Sequence, residues 1–183
     1  IGAGWHEQEW KAYDFPWWET KERMGRFREA VEVIHKMWTE DYPVFHGKYY
    51  SMDGPINEPK GVQKPHIPLW IGGGGEQVTL KLVAKFGDAC NVGGDIPTIK
   101  HKLDVLEKHC QDVGRDSSEI IRSSQLRFFV IEPGQDGETV TATFRGAMSY
   151  DEFLTSYEVA TIDDIKRRVQ ELIDAGIDYI IMY

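Results

Sequence analysis

Four consecutive glycines, Gly72 to Gly75, constrain this chain more than any other feature, because they sit between an apolar run and an amphipathic segment. Residues 69–91 read Leu-Trp-Ile-Gly-Gly-Gly-Gly-Glu-Gln-Val-Thr-Leu-Lys-Leu-Val-Ala-Lys-Phe-Gly-Asp-Ala-Cys-Asn. That order predicts a short buried strand, a glycine turn, a helix with Val78, Leu82, Val83 and Phe86 on its buried face, a stop at Gly87, and a second strand. Residues without Cβ let a backbone come close to a ligand, and the helix start behind them presents N–H groups and a positive dipole end. This is the chemistry of a phosphate cradle. A turn that needs glycine only for its backbone angles fits the four glycines equally well. Glu76 follows Gly75 where a P-loop carries Gly-Lys-Ser/Thr, and the third glycine of a dinucleotide fingerprint is missing, so neither nucleotide motif is present.

The rest of the chain alternates in the same way. Ile1 to Trp5 reads as the tail of a strand entering a glycine turn, followed by a loop rich in Trp and acidic residues. Met24, Phe27, Val31, Ile34 and Trp38 form one stripe of a helix near 20–39. Residues 40–68, with five prolines, are irregular and predict a functional loop or a small inserted hairpin. A helix near 97–112 points Ile99, Leu103, Leu106 and Cys110 inward, and residues 123–132 form one strand. Ser149 with Glu152, and Thr161 with Asp164, are spaced as capping boxes for helices at 150–157 and 162–175, the second with Ile165, Val169, Leu172 and Ile173 inward. Tyr179 to Tyr183 form a last strand. Strands alternating with helices predict an α/β fold of parallel strands with crossover helices; an open doubly wound sheet and part of a (β/α)8 barrel both fit.

With 183 residues, 41% of them hydrophobic, the chain is long enough for one sizeable core, expected as a single domain over 1–183. A net charge of −9 without a basic stripe argues against a nucleic-acid partner, and no apolar run reaches membrane-spanning length. Two cysteines outside any C-x-x-C pair predict a reduced, cytoplasmic setting. The six histidines lack H-x-x-x-H or H-E-x-x-H spacing, so no metal site is expected. His101 and His109 read as surface or interface groups, Arg115–Asp116 as a solvated turn, and Lys81 and Lys85 as exposed helix lysines within reach of an anionic tail.

Several segments together resemble one family. Ile-Gly-Ala-Gly-Trp with its Glu/Trp-rich loop, Arg23-Met24-Gly25-Arg26-Phe27-Arg28-Glu29-Ala30, Gln63-Lys64-Pro65 with Ile67-Pro68-Leu69-Trp70-Ile71-Gly72-Gly73, and Gly87-Asp88-Ala89-Cys90-Asn91 resemble the luciferase-like monooxygenase superfamily. The likeness is greatest to its members that use the deazaflavin coenzyme F-420 (F420). It implies a (β/α)8 TIM barrel with F420 or FMN across the C-terminal mouth of the strands and a small organic substrate beside it. The cofactor phosphate would rest on Gly72, Gly73, Gly74 and Gly75, with Asn91 facing the same mouth. Gly2, Ala3 and Gly4 would let the backbone pass close to the cofactor, and Trp5 or His6 would wall the substrate pocket.

Within that family Ile1–Trp5 resembles the end of the fourth strand and Tyr179–Tyr183 the eighth. The resemblance therefore implies the C-terminal part of a barrel, about strands 4–8, with open strand edges that invite completion by a homodimer or other self-association. Two functions follow: an F420- or FMN-dependent oxidoreductase or monooxygenase, or a non-catalytic half-barrel fragment or flavin-binding remnant that self-associates. No catalytic residue is identified.

Overall fold

Contacts in the computed structural model, which describes residues 1–183, gather into two units: Ile1–Cys90 with Val105–Ile120, and Asn91–Asp104 with Ile121–Tyr183.

The first unit begins with a short helix, α1 (Glu7–Ala12), where the sequence reads as a loop. It continues with α2 (Thr20–Thr39), which buries Phe27 and Val31 and half-buries Met24, Ile34 and Trp38, the stripe set by the 3.6-residue period. The irregular stretch after it contains an antiparallel hairpin, β1 (Val44–His46) and β2 (Ser51–Asp53), with Phe45 opposite Met52. One carboxylate on α2 seats this hairpin. Glu29 accepts the backbone N–H groups of Lys48, Tyr49 and Tyr50 at 2.9, 2.7 and 3.0 Å. Burial pushes its carboxyl up, but these three donors outweigh that and hold it below the usual carboxylate value. Two glycines make the fit possible: a Cβ on Gly25 would stand 2.7 Å from the Tyr49 ring, and one on Gly47 would strike the Glu29 carboxylate.

The opening motif then folds as expected: β3 (Trp70–Gly72), the glycine turn, α3 (Thr79–Phe86) and β4 (Ala89–Asn91). β4 starts beside β3, with Asp88 and Ala89 donating to the Leu69 carbonyl. α3 buries Leu80, Leu82, Val83 and Ala84, a wider face than a single stripe, because α2 and β3 both pack on it. Gly87 ends the helix by donating to the Val83 carbonyl at 2.8 Å. Its φ is −82°, so the glycine is required by closeness rather than by a left-handed turn; a Cβ there would lie 3.0 Å from Val83 Cα. The later turns of α4 (Ile96–Val113) complete the unit and bury Leu106 and Cys110.

The second unit contains the earlier turns of α4 and the strands β5 (Ile121–Leu126) and β6 (Phe128–Val130), then α5 (Gly137–Arg145), α6 (Tyr150–Leu154), β7 (Glu158–Ala160), α7 (Ile162–Asp174) and β8 (Tyr179–Met182). β5 pairs in parallel with β8, Ser123 opposite Tyr179, and β6 pairs in parallel with β7, Phe128 opposite Glu158. Parallel strands joined through helices make this an α/β fold. The single strand expected at 123–132 is broken at Arg127, because its two halves serve different partner strands. α5 and β7 were not legible as such. α5 starts at an Asp136 cap and packs through Phe144 into a ring cluster with Phe129, Phe153 and Tyr157, in which Phe153 and Tyr157 stack at 4.7 Å.

α7 carries the full Thr161–Asp164 capping box. Ser149 caps α6 by accepting from the Glu152 N–H. Leu172 is fully buried in α7, whereas Ile173, expected inward, is 51% exposed. The start of β5 is clamped to the start of β8 by a forked pair, Arg122 Nε and Nη2 donating to the Asp178 carboxylate at 2.8 and 3.0 Å. Burial acts to raise the Asp178 carboxyl, but Arg122 holds it below its ordinary value.

Candidate cofactor site

The glycine turn starts from a strand end that is itself paired. The Ile1 amino group donates to the Trp70 carbonyl at 2.7 Å, and the Gly72 N–H donates to the Ile1 carbonyl at 2.9 Å. Bonds to the residues on either side of Ile71 are the pattern of a parallel neighbour, so Ile1 continues the sheet beside β3. Gly2 consequently lies close to Gly72: a Cβ on it would stand 3.7 Å from the Gly72 carbonyl oxygen. The structure thus brings Gly2 and the glycine turn together, but the Gly72 N–H is already committed to Ile1.

Beyond Gly72 the backbone opens outward. Gly73 is exposed with φ +112°, a region in which only glycine is at ease. Gly74 is half-buried and Gly75 exposed, and a Cβ on Gly75 would come within 3.0 Å of Thr79 Oγ1. The N–H groups of Gly73 and Gly75 have no acceptor within the chain. α3 follows without a side-chain N-cap, and its first turn carries no acidic residue. The Leu80 N–H at this start is taken by the Gly75 carbonyl at 3.0 Å, which leaves the turn's own free N–H groups, in front of a helix start with no side-chain cap, to suit an anion.

Two side chains far along the chain brace this element, and the sequence revealed neither. His109 of α4 is mostly buried, and its Nε2 lies 2.9 Å from the Glu76 carbonyl, which requires the proton on Nε2; its Nδ1 is 3.9 Å from the Asp112 carboxylate. His109, expected as a surface or interface group, therefore ties down the segment between the glycines and α3 from a mostly buried position. Arg115 does the same at the other end of α3, its Nη1 donating to the carbonyls of Gly87, Val83 and Ala84 at 2.8, 3.3 and 3.3 Å. The expected solvated turn is instead a helix C-cap. Asp116 caps the single 3-10 turn that follows it.

Asn91 belongs to the second unit, at the end of β4, where its Nδ2 donates to the Ser123 hydroxyl of β5 at 3.0 Å. Its amide nitrogen is therefore engaged in holding strands. Gly4, at φ +75°, makes room for a side chain: a Cβ would fall 2.7 Å from Trp10 Nε1. Trp10 in turn meets Phe15, Trp17 and Trp18 edge-on, and Arg23 and Arg26 each lie 4.1 Å over the Trp17 and Trp18 rings. Gly2 and Ala3 line a small cavity of about 140 Å³ with Trp10, Trp18 and Tyr50. Trp5 is 85% exposed, stacks on His6 with ring centroids 5.1 Å apart, and lines none of this cavity. No helix is long and apolar enough to cross a membrane, and no three His, Cys, Asp or Glu side chains are grouped to hold a metal ion.

A family model for luciferase-like monooxygenase matches residues 1–176. Among curated proteins the chain is 23% identical over 214 residues to an FMNH(2)-dependent dimethylsulfone monooxygenase of Pseudomonas putida, covering 99% of this chain and 59% of that protein. It is 30% identical over 120 residues to an F420-dependent glucose-6-phosphate dehydrogenase of Mycolicibacterium gilvum, covering 63% of this chain and 34% of that protein. The chain thus spans between about a third and three fifths of the length of these relatives. Among solved structures, an F420-dependent secondary alcohol dehydrogenase in complex with an F420-acetone adduct superposes with a TM-score of 0.77 at 22% identity, over 99% of this chain and 62% of that one. The coenzyme F420 dependent tetrahydromethanopterin reductase of Methanopyrus kandleri gives 0.70 at 15%, over 98% and 66%. Because the family model matches residues 1–176 of the chain's 183, this chain belongs to the luciferase-like monooxygenase family.

Proposed function

We propose that this chain supplies the phosphate-binding part of an F420- or FMN-dependent oxidoreductase of the luciferase-like type, acting on a small organic substrate. The observation that carries the reading is the open turn from Gly73 to Gly75, with free N–H groups on Gly73 and Gly75, feeding an acid-free start of α3 that has no side-chain cap. Its family relatives include FMNH(2)- and F420-dependent enzymes. When bound, the cofactor supplies hydride transfer or oxygen activation. The chain's own part is to fix the phosphate end: Gly73 and Gly75 offer N–H groups, His109 holds the segment behind them, and Gly2 keeps side-chain bulk away. Fluorescence titration with F420 and with FMN tests this directly. Saturable binding of at least one of them is expected, and binding of neither would overturn the assignment.

We further propose that the chain forms the C-terminal part of a barrel, about strands 4–8, within one domain, and that it associates with a second copy. β8 is paired with β5 and exposes Tyr179 and Met182, at 51% and 55%, so a parallel strand with apolar side chains faces outward. Light scattering at micromolar concentration is expected to give a mass above the 21.0 kDa of one chain. A monomeric mass would favour a stable unassociated half-barrel.

A further inference from the structure

The glycine turn leads along the chain into a groove of about 310 Å³ between α2 and α3, lined by Arg28, Glu32, Gln77, Lys81, Lys85 and Phe86. Its charge runs against that of the molecule. The chain carries a net −9, yet this groove holds three cations and one carboxylate. Glu32 lies 3.9 Å from Lys85, too far for a hydrogen-bonded pair, and Arg28 and Lys81 have no carboxylate partner within the chain. Lys85 lies 4.7 Å over the Phe86 ring, so the floor is apolar where the rim is basic. Lys81 and Lys85 stand one helical turn apart on the same face of α3, with Arg28 opposite on α2. Gln77, which also lines the groove, is two residues beyond Gly75.

We propose that this groove binds a chain of carboxylates attached to the same phosphate that the glycine turn holds. A row of cations one turn apart suits a repeated anion rather than a single compact one. This chemistry separates the two candidate cofactors: FMN ends at its phosphate, whereas F420 continues from it into an oligoglutamate tail. The groove therefore assigns the chain to F420. The inference rests on the phosphate reading above, and its test separates the two.

The measurement is the dissociation constant, at low salt, of FMN, of F420 bearing one or two glutamates, and of F420 bearing five or more, with the unaltered chain and with Lys81→Glu/Lys85→Glu. Both altered side chains are exposed, and circular dichroism checks that the variant is folded. Long-tailed F420 is expected to bind about tenfold more tightly than the short-tailed form to the unaltered chain, an advantage that salt and the double variant remove. FMN affinity is expected to be the same in both proteins. Equal affinity for long and short tails would overturn the groove assignment while leaving the phosphate reading intact, as would a double variant that weakens FMN and both forms of F420 alike. Binding of no cofactor at all would overturn the phosphate reading, and the groove assignment with it.

Discussion

Gly73→Val is expected to weaken cofactor binding by about ten- to a hundredfold, the strain of one residue forced out of its region. The reason lies in the backbone. Gly73 holds φ at +112°, where a β-branched residue is a true outlier, so valine must either strain the turn or rotate its N–H groups away from the ligand. Space is not the obstacle, since the added Cβ would lie 3.7 Å from Thr79 Cγ2, an ordinary contact. The residue is also exposed, so the loss falls on the turn and not on the core. Gly72→Ala provides the contrast: its φ is not left-handed, and its Cβ would have only the Ile1 carbonyl oxygen near it, at 3.9 Å. It is expected to fold normally and to report only how closely the ligand approaches that point. Titration of both variants, with melting temperatures alongside, checks the expectation. An unchanged dissociation constant for a folded Gly73→Val would place the phosphate elsewhere.

The strand–turn–helix unit was legible in the sequence because each of its parts is local. α3 depends on a stripe of apolar side chains, the turn on missing Cβ atoms, and α7 on a cap four residues long, Thr161 to Asp164. What was not legible depends on residues far apart in the chain. Glu29 looks like any exposed helix acid until its carboxylate is found receiving three N–H groups some twenty residues later. Gly4 reads as room for a ligand, and the room is taken by Trp10. The break at Arg127 leaves no mark in a run of strand-forming residues, because it is set by β7 and β8 as partners and not by local preference. α5 escaped for the opposite reason. Its Thr-rich segment is a weak helix former, stabilised by Asp136 at its start and by the Phe144 ring contacts.

The same contrast between local and distant residues makes Arg115→Met the substitution with the largest expected effect on stability. Its guanidinium donates to three carbonyls at the end of α3, the Gly87 bond being short at 2.8 Å and the other two 3.3 Å each. A cation at a helix C-terminus also meets the negative end of the dipole. Methionine keeps most of the stem and removes the donors, which leaves the carbonyls of the buried residues Val83, Ala84 and Gly87 without their charged partner. A loss of about 2–3 kcal/mol is expected, from the usual value of a charge-assisted hydrogen bond with its desolvation. For a chain of this size that lowers the melting temperature by about 4–12 °C. Glu119→Gln separates the cap from the nearby ion pair: Glu119 lies 3.3 Å from Arg115 Nε and is exposed, so its loss is expected to cost less than about 1 kcal/mol. Arg115→Lys should recover only part of the difference, because one ammonium could replace the Nη1 donor that reaches all three carbonyls but not at the same time the Nε bond to Glu119 that holds the guanidinium in place. Cofactor affinity adds a second readout. Arg115 acts at the C-terminal end of an eight-residue helix whose N-terminal end meets the glycine turn, so fraying from one end reaches the other within two turns. Arg115→Met is therefore expected to weaken cofactor binding more as temperature rises toward its melting transition, while Glu119→Gln does not. A melting temperature for Arg115→Met equal to that of the unaltered chain would show that α3 closes without its cap.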